Sequence, residues 1–360
     1  MLKVIHGADF HLDSPFSGLS PELAAQRRGE QRLLLNDLTD LVKREEAHLV
    51  LLAGDLLDGS FVYRETVQAL AHALGEMPCP VFIAPGNHDP NTPTSPWRSR
   101  SWPENVHIFG KNVEKYELPE LNCVVYGFGF PTAHMETSPL EGFLVTEGRE
   151  TVKLMCLHAD LTPGSPYAPI TERQIAGSGL TYLALGHIHA RSGLRTAGNT
   201  YYAYPGCPQG RGFDETGEKG ALVLNIEPGR VEERFVPLCH HRYEHLSVDV
   251  TGKNPLTAVL EKLPADCGQH HFRITLTGES GGVDIAALSA ALGSKCAALT
   301  LKDATRLPQD LWKRRGEDNL TGTWLDLLAR RCEAQPDNDA LQLAARFALA
   351  ALERGEDPAP

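Results

Sequence analysis

Leu49-Val50-Leu51-Leu52-Ala53-Gly54-Asp55 decides the fold class of this chain. An unbroken apolar run stops at a glycine and an acid. A run with no polar alternation is what a strand buried on both faces looks like, since neither side of it meets water. The same grammar recurs on either side. Upstream, Leu2 to Ala8 runs into Asp9-Phe10-His11; downstream, Pro80 to Ala84 runs into Gly86-Asn87-His88-Asp89. Helical stripes separate the runs: Leu34, Leu38, Leu41 and Val42 in a helix starting at Pro21, then Val67, Leu70, Ala71 and Leu74. Buried strands between amphipathic helices predict an α/β fold.

Beyond residue 105 the expected strands crowd together: Val106–Phe109, Cys123–Gly127, Val152–Leu157, Thr181–Leu185, Thr200–Tyr204, Ala221–Ile226 and Arg230–Val236. Most intervals look too short for crossover helices, so much of this half is expected to be antiparallel. Two facing sheets covered by helices, a four-layer α/β/β/α sandwich over residues 1–240, accommodate both halves. At His240-His241 the pattern changes. Strands over Tyr243–Val250, Phe272–Thr277 and Ala297–Leu301 alternate with helices over Pro255–Leu263 and Val283–Leu292, predicting a small α/β domain over 241–304. The tail, 305–360, carries Lys313-Arg314-Arg315 and two amphipathic helical segments. Leu320, Trp324, Leu327, Leu328 and Cys332 mark the first; Leu341, Ala344, Ala345, Ala348 and Leu352 mark the second.

The 360 residues carry 34 Lys and Arg against 46 Asp and Glu, so the formal charge is 34 − 46 = −12. Apolar residues at 42% and charged residues at 22% exclude a largely disordered chain. No run approaches the roughly 18 apolar residues of a membrane span. The first residues read straight into a strand, with no signal peptide expected. Eight scattered cysteines without a Cys-x-x-Cys fit reduced thiols and a cytoplasmic protein.

The chemistry sits where the strands end. Asp9 and His11, Asp55, Asn87, His158, and His187 with His189 each follow an apolar run. Ligands in open α/β sheets bind beyond the carboxyl ends of strands, so all seven can share one rim. Residues i and i+2 of extended backbone point the same way, which suits Asp-x-His and His-x-His to one ion cluster. Oxygen and imidazole donors without thiolate favour Mn²⁺, Fe²⁺ or Zn²⁺. Seven donors exceed one ion with open positions and match two ions, roughly 3.5–4 Å apart, sharing a carboxylate. Two such ions and two carboxylates leave the site at about +4 − 2 = +2, attractive to phosphate. Alone, each motif also reads as a plain strand end or turn; the ordered set does not.

These motifs, namely Asp9-Phe10-His11, Gly54-Asp55-Leu56-Leu57-Asp58, Gly86-Asn87-His88-Asp89, His158 and Gly186-His187-Ile188-His189, resemble those of the calcineurin-like metallophosphoesterase superfamily. The opening Ala8-Asp9-Phe10-His11-Leu12-Asp13-Ser14-Pro15-Phe16 is similar to its DNA-repair exonuclease branch, of the SbcD and YhaO type and nearest the YhaO kind. The resemblance covers about residues 1–240; over 241–302 it rests on a small α/β unit like that branch's capping domain. It implies that Asp9, His11 and His189 hold one ion, that Asn87, His158 and His187 hold the other, and that Asp55 bridges. Two ions would acidify water into a nucleophile and stabilise charge on phosphoryl oxygens. His88 matches the family's proton-donating histidine and Asp58 the residue that orients it, both catalytic; Asp89 is expected to support the loop.

Protein phosphatases of the superfamily follow Gly-Asp-x-x-Asp with Arg-Gly, whereas Gly59-Ser60 follow Asp58 here, which argues against that activity. A charge of −12 does not advertise a nucleic-acid surface. Local clusters exist at Arg98-Ser99-Arg100-Ser101-Trp102 and Lys313-Arg314-Arg315, each also readable as a solvated face. The resemblance implies a coiled-coil ATPase partner of the SbcC or YhaN kind, with the tail helices as candidate contacts or packed back on the small domain. His6, His48, His72 and His107 read as structural, the pairs His240-His241 and His270-His271 as poor chelators, and His134 as a rim residue of no assigned role. Gly206 to Gly220, with Arg211 and Lys219, reads as turns at the domain junction. The expected function is a Mn²⁺-dependent DNA phosphodiesterase, the nuclease subunit of a repair complex. A small-molecule phosphodiesterase or phosphatase is the alternative and a non-catalytic scaffold a distant third. A homo-oligomer is left open.

Overall fold

The computed structural model describes residues 1–59, 62–146, 148, 151–306, 313–335, 338, 340, 341, 343, 344, 347 and 348. Ser60, Ala345 and Leu352, and the side chains of Lys313 and Arg314, lie outside the described residues. The chain divides into two compact units, Met1–His240 and His241–Pro360.

The first unit opens with β1 (Leu2–Gly7), α1 (Pro21–Glu45), β2 (Leu49–Leu52), α2 (Arg64–Gly75), β3 (Val81–Ile83), α3 (Pro96–Ser99) and β4 (Val106–Ile108). Ser20 caps α1 by accepting from Leu23 N, with Pro21 in the first turn, where a missing N–H matters least. Strands β1 to β4 pair in parallel. Then follow β5 (Glu114–Leu118), β6 (Cys123–Phe128), β7 (Val152–His158), α4 (Glu172–Gly177), β8 (Tyr182–Gly186), β9 (Arg195–Ala197), β10 (Thr200–Ala203), β11 (Gly220–Glu227) and β12 (Arg230–Pro237). They complete two six-stranded sheets, in the orders β12-β11-β1-β2-β3-β4 and β5-β6-β7-β8-β10-β9.

Alternation along each strand sorts side chains into layers. Ile5, Val50 and Ile83 face outward from the first sheet onto Leu34, Leu38 and Leu41 of α1 and Leu70 and Leu74 of α2. Val4, Leu51 and Phe82 face the other way, onto Val125, Leu154, Cys156 and Tyr182 of the second sheet. The far side of the second sheet, with Met155, Leu183 and Tyr202, is covered by Ile175 of α4 and by loop residues such as Phe130 and Ile170. This is the α/β/β/α sandwich expected from the runs.

One expectation is corrected. Beyond residue 105 the pairs β5–β6, β9–β10, β11–β12 and β11–β1 are antiparallel as expected, but the middle of the second sheet is not: β6, β7, β8 and β10 pair in parallel. Residues 129–151 and 159–181 span the returns, long enough for the dozen or so residues a parallel connection needs, and their described residues are mostly irregular rather than helical. The parallel direction matters, because it carries His158 and His187 to the same sheet edge.

In the second unit, β13 (Tyr243–Asp249), β14 (His271–Thr277) and β15 (Ala298–Asp303) form a parallel sheet. α5 (Pro255–Lys262) and α6 (Ile285–Leu292) pack on it through Val259, Leu288 and Leu292. The tail helix α7 (Leu320–Ala334) buries Leu325, Leu328 and Cys332 against Trp324 and Leu341. Leu320 and Leu327 are exposed, so the buried stripe is displaced from the expected one, with Leu325 replacing Leu327. Arg315 pairs with Asp326 and Glu333, which neutralises part of that basic cluster. All eight cysteines are free thiols.

Candidate metal centre

Five of the parallel strands deliver the motifs at their carboxyl ends. Asp9 and His11 follow β1, Asp55 follows β2, Asn87 and His88 follow β3, His158 ends β7, and His187 and His189 follow β8. The loops are laced together through the backbone. Asp9 N donates to Gly54 O (3.0 Å), His11 N to Asp55 O (2.9 Å) and Asp58 N to Leu12 O (2.8 Å). Asp9, His11, Asp55 and His187 all have positive φ, at 56°, 45°, 51° and 106°. Non-glycine residues held there store strain, which persists only where the surroundings over-determine the backbone. Gly54, at φ 86°, admits His158: a Cβ there would lie 2.6 Å from its Nδ1. A Cβ on Gly86 would strike Asp55 Oδ1.

Hydrogen bonds set which atoms face inward. His88 N donates to Asp55 Oδ1 (2.8 Å), and His187 N to Asp9 Oδ1 (3.0 Å). Asp55 Oδ2 is left facing His158 Nε2 at 3.3 Å and His11 Nε2 at 3.7 Å. His158 Nδ1 donates to Ala53 O (2.9 Å), which turns Nε2 toward the centre. That nitrogen lies 2.9 Å from Asn87 Oδ1, and His187 Nδ1 lies 3.2 Å from the same oxygen. On the other side of Asp55, the Nε2 atoms of His11 and His189 approach to 3.1 Å. On the far side of its ring, the buried His11 Nδ1 faces Asp58 Oδ1 at 3.5 Å.

Ligand-type nitrogens and oxygens packed this closely around two buried carboxylates suit cations between them. Two such convergences share Asp55: Asp9, His11 and His189 on one side, and His158, Asn87 and His187 on the other. Asp9 with His11 and His189, and Asp9 with Asp55 and His158, bring their ligand atoms within 4.8 Å of one another. The electrostatics agree. Burial opposes a charge on His158, yet Asp55 and Asp9 pull its titration up to about 9. Burial likewise pushes Asp55 up, but His158, His11 and His88 hold it well below the ordinary carboxylate range. The donor set therefore fits a pair of divalent ions.

A second pair stands at the edge. His88 Nδ1 lies 2.8 Å from Asp58 Oδ1, with the His88 side chain 46% exposed and Asp58 11%. Burial would raise Asp58, but hydrogen bonds from His11, His88 and Ser14 keep it ionised. The Asp58 bond outweighs burial at His88 and raises its affinity for a proton. Asp89 supports the loop, as expected. Its carboxylate accepts from Gly86 N and Asp55 N through Oδ1, and from Leu56 N and Leu57 N through Oδ2.

Sequence reasoning missed a further layer. The segment from Gly206 to Gly220, read as turns at a domain junction, wraps the centre instead. Glu215 Oε1 takes His189 Nδ1 at 2.6 Å, fixing Nε2 as the inward nitrogen. Arg211 Nη2 donates to Glu215 Oε1 (2.8 Å) and Nη1 reaches Asp58 Oδ2 at 3.5 Å, while Lys219 Nζ donates to His189 O (2.8 Å). Asp160 Oδ2 stands 3.5 Å from His187 Nε2, and the Tyr167 ring leans on His187, with His134 stacked behind it. The Arg–Glu pair at i, i+4 inside a glycine-rich loop was the one available signal. His6 is structural, as read: it is buried and bonded to the Tyr182 hydroxyl.

The profile described as calcineurin-like phosphoesterase matches residues 2–191. The Bacillus subtilis (strain 168) protein named uncharacterized metallophosphoesterase YhaO is 34% identical over 274 residues, 72% of this chain and 66% of the relative. The chain thus spans just under two thirds of that relative's length. Among solved structures, an archaeal phosphodiesterase aligns at a TM-score of 0.37 and 13% identity, over 65% of this chain and 100% of that one. A dimetal phosphatase from Danio rerio aligns at 0.42 and 14%, over 66% and 96%. With more than half its length matched by the profile, including the loops that carry Asp9, Asp55, Asn87 and His189, this chain belongs to the calcineurin-like phosphoesterase family.

Proposed function

We propose that this protein hydrolyses phosphodiester bonds in DNA with two divalent ions, Mn²⁺ foremost and Fe²⁺ or Zn²⁺ as alternatives. The observation that carries the reading is the pair of donor clusters meeting at Asp55 Oδ2 beside an exposed His88–Asp58 pair. Asp9, His11 and His189 would hold one ion, Asn87, His158 and His187 the other, and Asp55 both. Bound there, such ions would polarise phosphoryl oxygens and make water more acidic. The chain's own residues do the rest. Asp58 holds the Nδ1–H of His88 and stabilises its imidazolium, leaving Nε2 to protonate the departing alkoxide. Glu215 fixes His189, and the strained backbone at Asp9, His11, Asp55 and His187 keeps the donors in place before substrate arrives.

The DNA repair role, the cytoplasmic location and a coiled-coil ATPase partner of the SbcC or YhaN kind belong to the same proposal. They rest on the motif around Asp9 and on Leu320 and Leu327, which α7 leaves exposed. Among the described residues no helix is long and apolar enough to cross a membrane. The charge of −12 favours the second reading, a small-molecule phosphodiesterase or phosphatase with the same centre. Incubation with Mn²⁺ decides between them, using single- and double-stranded oligonucleotides beside bis-aryl and mono-aryl phosphates. Cutting of both DNA and the diester supports the first; intact DNA beside cleaved small esters establishes the second.

A further inference from the structure

The loop leaving Asp58 leads into α2, and the loop leaving His88 leads into α3. Between the two helices lies an open groove of about 610 Å³, walled by Val62, Arg64 and Gln68 on one side and Thr94, Ser99 and Arg100 on the other. Among the described residues no carboxylate lines it. Arg64 and Arg100 have no acidic partner among the described residues, in a chain with twelve more acids than bases. Arg100 lies over the Trp102 ring, 5.8 Å from its centroid. Next to Arg64, the Tyr63 ring is 54% exposed, and Arg28 stands over it at 5.5 Å. The frame is firm: Tyr63 N and Thr66 Oγ1 both donate to Asp13, and Trp97 Nε1 donates to Asp89 O.

We propose that this groove binds the sugar–phosphate backbone of a nucleic acid strand on the leaving-group side of the scissile bond. Guanidinium forks match phosphate oxygens two at a time. The position also favours a strand, since both walls grow out of the loops that carry Asp58 and His88, and His88 is the group proposed to protonate the departing oxygen. A local acid-free channel reconciles the overall charge with a polyanionic substrate. The inference rests on the DNA reading above and names the surface that reading lacks.

The test is salt-dependent binding of a fluorescent 20-mer duplex to the full chain with Mn²⁺ left out, beside hydrolysis of a bis-aryl phosphate with Mn²⁺ present. Combined Arg64→Ala and Arg100→Ala should lower the slope of log K against log salt by about 2, close to one per lost phosphate contact. Diester hydrolysis should stay at the parent rate, which also shows that the variant is folded. The control pair Arg230→Ala and Arg234→Ala, exposed residues each paired to a glutamate, should leave the slope alone. An unchanged slope in the groove variant overturns the inference. So does loss of polyglutamate binding with duplex binding intact, which would assign the groove to an acidic peptide. A parent chain that cleaves the diester but binds no duplex refutes the DNA reading and this inference together, leaving the metal centre standing.

Discussion

Glu215 offers the sharpest test of how the centre is held, because it orients a donor without being one, and its only trace in the sequence is its i, i+4 spacing from Arg211. Its Oε1 accepts from His189 Nδ1 and from Arg211 Nη2, and its Oε2 accepts from the peptide N–H of Arg211 at 2.7 Å. The side chain is 7% exposed. Glu215→Gln keeps the volume and removes one acceptor. With the amide oxygen toward His189, the new NH₂ meets the Arg211 N–H, donor against donor. With the amide reversed, the NH₂ faces His189 Nδ1 and can be accepted only if the ring proton moves to Nε2, the nitrogen that faces His11. Either outcome forfeits a charge-assisted bond, about 1.5–3 kcal/mol. That corresponds to roughly 10–100-fold in ion affinity, the usual scale for a carboxylate behind a ligating imidazole. The assay is diester hydrolysis as a function of Mn²⁺, with ion content measured after dialysis and folding checked by circular dichroism. The half-saturating Mn²⁺ concentration should rise on the order of 10–100-fold, with turnover recovering as Mn²⁺ is raised. A folded variant with the parent's Mn²⁺ dependence would refute both the role of Glu215 and the tautomer assigned to His189.

Three other perturbations read different parts of the molecule. His88→Ala should cut turnover by roughly 10²–10⁴-fold while ion content by elemental analysis stays near that of the parent; loss of the ions would contradict its assignment as a proton donor. Burial pulls His6 from 6.5 down to about 3, so between those values the unfolded chain takes up a proton that the folded chain refuses. Stability from this group is complete above about pH 6.5 and is lost as pH falls, so going from pH 7 to 4.5 should cost the parent roughly 2–3 kcal/mol more than His6→Gln in urea unfolding; parallel profiles would rule this out. Leu320→Glu with Leu327→Glu, at positions 76% and 54% exposed, should abolish co-purification with a coiled-coil ATPase and spare diester hydrolysis; unchanged capture would move the contact off α7.

The seven donors were legible because a strand buried on both faces has no polar residue until it ends. The first Asp, Asn or His after Leu52, Ile83 or Gly186 therefore stands out against its surroundings. Glu215 and Arg211 had no such contrast. They lie in an irregular loop whose conformation is fixed by the centre it wraps rather than by any period of its own. The direction of β6, β7, β8 and β10 was misread for a related reason. Crossovers announce themselves through helical periodicity, and most of the length between Phe128 and Tyr182 is irregular chain held by tertiary hydrogen bonds, such as Phe130 N to Pro85 O. In α7 the stripe was found but its phase was off by part of a turn, since Leu325, Leu327 and Leu328 are all leucine and composition alone cannot choose which of them is covered.

Strain at the centre and the lacing of its loops are two sides of one arrangement. Asp9, His11, Asp55 and His187 each occupy a left-handed backbone region that costs about 1–3 kcal/mol for a residue with a side chain. Four such residues would relax if their loops were independent. They are not, and Asp89 is the reason at the middle of the set. Four peptide N–H groups, from Gly86, Asp55, Leu56 and Leu57, converge on its buried carboxylate, so one side chain from the β3 loop fixes the backbone of the β2 loop. The β2 loop in turn accepts Asp9 N and His11 N from the β1 loop, and Asp9 accepts His187 N from the β8 loop. Distortion at any one donor is therefore resisted through the other loops. The donors' convergence follows from this backbone network together with the pairing of Asp55 with His158 and His11, while the Nε2 atoms of His11 and His189 are held 3.1 Å apart. A scaffold that spends backbone strain on holding like atoms together has a use for what belongs between them.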